Sequence, residues 1–142
     1  MMKFPLMMIA LGLVLLLSAC SGATPPISLA PGMDIIKKAI ALQVEQTQEQ
    51  LSEQLAASHP QLDISQVKLK AIEPLYLAKL PTYHIQGTYN LDIDLPNQKV
   101  SQKQNSFDVY LQRQREGKTW RWLKRDVSNP DESPLWRTYW IH

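Results

Sequence analysis

Between residues 82 and 95 the chain alternates without a break, and that run limits the fold more than any other feature. Tyr83, Ile85, Gly87, Tyr89, Leu91, Ile93 and Leu95 fall on one side, while Thr82, His84, Gln86, Thr88, Asn90, Asp92 and Asp94 fall on the other. A period of two over that length describes an extended strand with one face on a core and the other in water, the pattern of an antiparallel sheet. Gly87, in the middle, predicts a bulge or bend that lets such a sheet curl.

The flanking segments agree with a sheet. Val67, Leu69 and Ala71 alternate with Lys68 and Lys70, and Pro74 is expected to bend or end that strand. Pro96-Asn97 turns the chain into a third strand, polar from Ser101 to Asn105 and therefore exposed or near an edge there. It alternates again at Phe107, Val109 and Leu111. Glu116-Gly117 predicts a hairpin into a fourth strand holding Trp120, Trp122 and Leu123. Asn129-Pro130 and Ser133-Pro134 break the chain before a last aromatic piece, Leu135 to Ile141. That piece either closes the sheet or offers Trp136, Tyr139 and Trp140 to a partner protein, since tryptophan and tyrosine are favoured where proteins meet.

A helix is expected ahead of the strands. Asp34 suits its N-cap, by side chain and by charge. Ile36, Ile40, Val44, Thr47, Leu51 and Leu55 recur at helical spacing, and Ile35, Ala39 and Leu42 widen the stripe. Gln43, Glu45, Gln46, Gln50 and Glu53 make the opposite side polar. Pro60 ends the run, with Ser58 and His59 in the closing turn. One stripe of this kind predicts packing on the chain's own sheet rather than on a coiled-coil partner.

The expected class is therefore α+β: one long N-terminal helix packed on a curved antiparallel meander of four to five strands. This order resembles the cystatin-like roll and the nuclear-transport-factor-two-like superfamily. The stretch Gly117-Lys118-Thr119-Trp120-Arg121-Trp122 is similar to the glycine turn and tryptophan strand common there. The resemblance implies a helix lying in the concave face of the sheet. Those superfamilies hold enzymes, binding modules and assembly parts, so fold alone does not assign a function.

Residues 1–19 read as a signal peptide: Lys3 supplies the positive start, Leu6 to Leu17 the apolar run, and Ser18 and Ala19 the small residues before a cut. An apolar helix of ~14 residues rises only ~20 Å against a hydrocarbon core of ~30 Å, which disfavours a permanent span. Leu17-Ser18-Ala19-Cys20 resembles the lipobox of bacterial lipoproteins at all four positions. The resemblance implies diacylglycerol on the Cys20 thiol, cleavage just before it, and in many Gram-negative members acylation of the new amino group. Two or more such chains hold a bilayer firmly where a single myristoyl chain binds marginally. Ser21 stands where an aspartate would imply retention in the inner membrane, so the resemblance implies an outer-membrane protein facing the periplasm. Residues 20–33, with Pro25, Pro26 and Pro31 between Gly22 and Gly32, read as a tether, leaving residues 34–142 as the folded domain.

Length and composition fit that division. A chain of 142 residues, 44% hydrophobic and 20% charged, suffices for one modest domain. Cys20 is the single cysteine, so no internal disulfide is expected and lipid attachment accounts for the residue. The net charge of +2 falls to +1 once Lys3 is removed, too weak a balance to argue for a nucleic-acid partner.

Candidates for chemistry are few. His59, His84 and His142 have no ligand-like spacing, so no metal is expected. Asp92 and Asp94 share the outward face of His84, as an acidic cluster or simply as solvated strand charges. The inward face of the best strand carries no acid or histidine, and there is no Gly-x-Ser-x-Gly or phosphate-binding glycine loop, so neither an enzyme nor a cofactor is expected. Tyr83 and Tyr89 either pack in the core or line a small apolar pocket. Arg113, Arg115, Lys118, Arg121, Lys124 and Arg125 make a basic hairpin against Glu116 and Asp126, solvated or facing anionic headgroups or an envelope polymer. The resulting expectation is a lipid-anchored, non-catalytic binding or assembly module of the cell envelope. The alternatives are a small apolar-ligand carrier using the concave face and, third, an enzyme.

Overall fold

The computed structural model describes residues 23–55, 61–127, 129–133 and 135–142, the side chains of 49–55 excepted. The leader, Cys20, Ser21, His59 and Pro60 lie outside the described residues. Among the described residues no helix is long and apolar enough to cross a membrane.

Among the described residues the architecture is α+β: one α-helix, α1 (Met33–Leu55), on a five-stranded antiparallel sheet. The strands are β1 (Gln61–Leu77), β2 (Leu80–Leu95), β3 (Gln98–Arg113), β4 (Trp120–Asp126) and β5 (Leu135–Ile141). They neighbour each other in chain order, so β1 and β5 are the two edges.

Part of the expected tether belongs to the folded body. Pro25 and Pro31 are buried, and Ile27–Leu29 form a single 3-10 turn. The buried Tyr83 hydroxyl donates to the Pro26 carbonyl at 2.7 Å, fastening this segment to β2. Proline favours extended chain, but its ring is also apolar, and here the second property prevails.

α1 begins two residues earlier than an Asp34 cap implies, so Asp34 lies in its first turn. Among its described side chains, α1 packs through residues 35 to 44. Ile36, Ala39 and Ile40 are fully buried, and Ile35, Leu42 and Val44 pack against the same core. Thr47, expected on the inward stripe, is exposed and returns its hydroxyl to the Gln43 carbonyl at 3.1 Å.

The sheet side of the core consists of the residues the alternation marked, Tyr83, Ile85, Tyr89 and Leu91, joined by Phe107, Val109, Leu111, Trp120 and Trp122. Pro74 neither ends nor breaks β1 but pairs with Tyr83 within it. β1 is an edge, where a residue without an N–H is tolerated. The turn from β1 to β2 is Ala78-Lys79, flanked by the pair Leu77 and Leu80. Both residues have positive φ, 50° and 62°, the geometry of a type I′ hairpin that favours Asn-Gly. Replacing Ala78-Lys79 with Asn-Gly is expected to stabilise the fold by about 1–2 kcal/mol, seen as a higher denaturant midpoint at unchanged slope.

Three irregularities crowd around Gly87. Gln66 and Val67 together face Tyr89, Lys70 is an extra residue between the pairs Leu69–Gly87 and Ala71–Gln86, and Lys103 and Gln104 together face Asn90. The extra residues sit on the neighbours of β2, not in β2 itself. A Cβ on Gly87 would lie 2.1 Å from the Lys68 carbonyl oxygen and 2.8 Å from Phe107 Cε1, so close approach demands the glycine.

Candidate functional site

The two faces of the sheet offer different chemistry. On the inner face a cavity of about 800 Å³ opens between helix and sheet. Gln43, Val44 and Thr47 form one wall, and Tyr89, Leu91 and Phe107 form another. Tyr89 reaches this cavity, whereas Tyr83 is fully enclosed, with its ring 6.1 Å from that of Trp120 and its hydroxyl committed to Pro26. Burial pushes the pKa of both tyrosines up; at Tyr83 the Arg113 charge opposes the rise and Tyr76 adds to it. The two tyrosines are thus divided between the two alternatives, Tyr83 in the core and Tyr89 at the cavity.

The outer face carries an aromatic row that register creates. His84 pairs with Tyr110, Tyr110 with Leu123, and Leu123 with Thr138, so all four share this face. The rings of His84 and Tyr110 stack at 4.2 Å, nearly parallel, and Tyr110 meets Trp136 edge-on at 5.0 Å. Across β4 and β5, the Arg121 guanidinium lies 3.9 Å from the centre of the Trp140 ring and donates to the Thr138 hydroxyl at 3.1 Å. Arg121 Nε is buried without a hydrogen-bond partner among the described residues. Trp140 remains 46% exposed.

Of the three aromatic residues singled out in the last strand, Trp136 and Trp140 share this outer face. Tyr139 does not: it pairs with Trp122 and packs towards the core, with ring centres 5.0 Å apart.

Acidic groups mark the other side of the row. His84 Nε2 lies 2.6 Å from Asp108, and Glu73 approaches Nδ1 at 3.7 Å. Asp108 also accepts from the Gln86 amide at 2.8 Å. The acids around His84 therefore come from the neighbouring strands β1 and β3. Asp92 instead accepts from the Ser101 hydroxyl at 2.6 Å, and Asp94 faces Lys99 at 3.8 Å. Among the described residues no group of three or more histidine, cysteine, aspartate and glutamate side chains is arranged to hold a metal ion.

The basic hairpin is partly structural. Arg113 donates twice to the Gly117 carbonyl, at 3.2 and 3.0 Å, and Arg121 is engaged as described. The Thr119 hydroxyl, followed by Glu116's own backbone N–H, holds the exposed Glu116 carboxyl below its usual pKa. Arg115, Lys118, Lys124 and Arg125 are exposed.

Sequence reading did not single out Leu91 and Phe107 as cavity lining or Tyr110 as part of a surface row. The signal for all three is cross-strand register, which a single strand's pattern does not contain. No family model, curated protein or solved structure matches the chain.

Proposed function

We propose that the chain is a lipid-anchored, non-catalytic binding or assembly module of the cell envelope. The anchor rests on the likeness of Leu17-Ser18-Ala19-Cys20 to a lipobox. With Pro25 docked on the body, the five residue steps from Cys20 to Pro25 limit the distance between anchor and body to roughly 17 Å. The domain would then ride close to the headgroups of the membrane that holds it, the outer one on the evidence of Ser21. In the finer description the sheet is the curved wall of a cystatin-like roll. The bulges on both sides of Gly87 support it, since extra residues bend and twist a strand.

The observation that carries the binding reading is Trp140, half exposed and backed by Arg121, with Trp136 beside it. Core packing does not require these side chains on the outer face, and tryptophan and arginine are the residues that dominate protein interfaces. Capture of envelope partners by full-length protein should fall about ten-fold or more when Trp136 and Trp140 are both replaced by alanine. Undiminished capture by the folded variant removes the reading. Mass spectrometry of the native protein tests the anchor separately, since an intact initiator methionine or a bare Cys20 thiol is incompatible with it. Deleting residues 135–142 is not an equivalent experiment, because β5 pairs with β4 along its whole length and Tyr139 covers Trp122.

A second reading, a carrier of a small apolar ligand, is favoured by the cavity beside Tyr89, Leu91 and Phe107. Uptake of an apolar fluorophore that Leu91→Trp blocks would favour the carrier over docking.

A further inference from the structure

The two edges of the sheet are built differently. β1 carries Pro74, two register breaks, the positive-φ residue Gln66, and Lys68, Lys70 and Glu73 exposed along it. These are the devices that keep an edge from pairing with another chain. β5 has fewer of them. It runs in unbroken register with β4 from Leu135 to Ile141, contains no proline, and has Arg137 as its one charged residue. Among the described residues nothing pairs with its far side.

β5 also reads nearly the same in both directions. Laid antiparallel on itself about Thr138, Leu135 meets Ile141, Trp136 meets Trp140, and Arg137 meets Tyr139. Each pairing sets like with like, except Arg137 on Tyr139, which sets a cation on an aromatic ring. The faces agree too. Leu135, Arg137, Tyr139 and Ile141 lie on the helix side, while Trp136, Thr138 and Trp140 lie on the outer side. A slip of one residue would set inner side chains against outer ones. Leu135, 66% exposed in the single chain, would gain Ile141 of the second copy as its cover.

We propose that two copies of this chain pair through β5, antiparallel about a two-fold axis at Thr138, so that their sheets become one continuous sheet with both helices on the same side. A self-complementary strand is what an isologous interface requires, and this property selects a second copy over an unrelated strand. The proposal rests on the binding-module reading in taking β5 as the docking element, and it names the partner.

Thr138 supplies the test, because the axis sets it against itself. It is exposed and outside the hydrophobic core, so charged replacements leave the core untouched and alter only the group that faces Arg121. Two differently tagged full-length copies are produced together, one is captured, and the other is measured. Wild-type copies are expected to recover each other. Thr138→Glu with Thr138→Glu, and Thr138→Lys with Thr138→Lys, should each lose about ten-fold in recovery through like charges placed face to face. Mixing the Thr138→Glu copy with the Thr138→Lys copy should restore it, with circular dichroism confirming that both variants are folded. Wild-type copies that fail to recover each other overturn the proposal, as does a mixed pair that recovers no better than the like-charged pairs. Capture of a different envelope protein through Trp136 and Trp140, without self-recovery, would keep the binding-module reading while refuting this one.

Discussion

Gly87→Ala is expected to destabilise the fold by about 3 kcal/mol, lowering the melting temperature by roughly 10–20 °C. The added methyl would sit 2.1 Å from a backbone oxygen of β1 and 2.8 Å from the Phe107 ring, and backbone cannot swing aside as a side chain can. Gly117 provides the control. It needs its glycine for conformation, with φ at 73°, but a Cβ there meets only the Arg113 side chain, at 3.0 Å. Gly117→Ala should therefore cost about 1–2 kcal/mol, the ordinary penalty of a left-handed alanine. Thermal melts of the two variants check the order, and an equal or larger loss at Gly117 would contradict it.

Tyr83→Ala is the second large effect, at about 3–5 kcal/mol, because a fully buried ring at the junction of β2, Trp120 and the N-terminal segment leaves a cavity. Tyr83→Phe divides that loss: it retains the ring and removes only the bond to Pro26, for about 1 kcal/mol. The two variants should also differ in pH response. Burial raises the Tyr83 pKa above its ordinary 10.0, so the folded state favours the neutral phenol. That contribution is fully present below about pH 10 and is lost as pH rises through the folded pKa. Denaturation followed into alkali should show wild type losing more stability than Tyr83→Phe. Tyr89, which burial shifts in the same direction, should contribute to the alkaline loss of both proteins.

Legibility followed the reach of local rules. β2 was readable because one long strand with one wet face repeats its instruction at every second residue. The hairpin before it was not, since Ala78-Lys79 contains neither glycine nor asparagine and nothing local marks the turn. Pro74 misled because its meaning depends on whether a strand is central or at an edge, which only the assembled sheet decides. The surroundings of His84 depend on the assembled sheet in the same way. Asp92 and Asp94 share its strand and face, yet the nearest acids are Glu73 and Asp108, brought there by pairing. The aromatic residues of the last strand could be picked out by type, but which of them face outward follows from the register with β4. Thr47 shows the limit of a helical stripe, since it falls on the apolar face by spacing and yet is exposed.

The bond between Tyr83 and Pro26 has a mechanical side. A pull on the residues ahead of Pro26 enters the body at β2, a strand hydrogen-bonded along both flanks, before it reaches the first turn of α1. Load passed on by that one hydrogen bond is shared among the many backbone bonds of the sheet, so the bond itself is the first to yield.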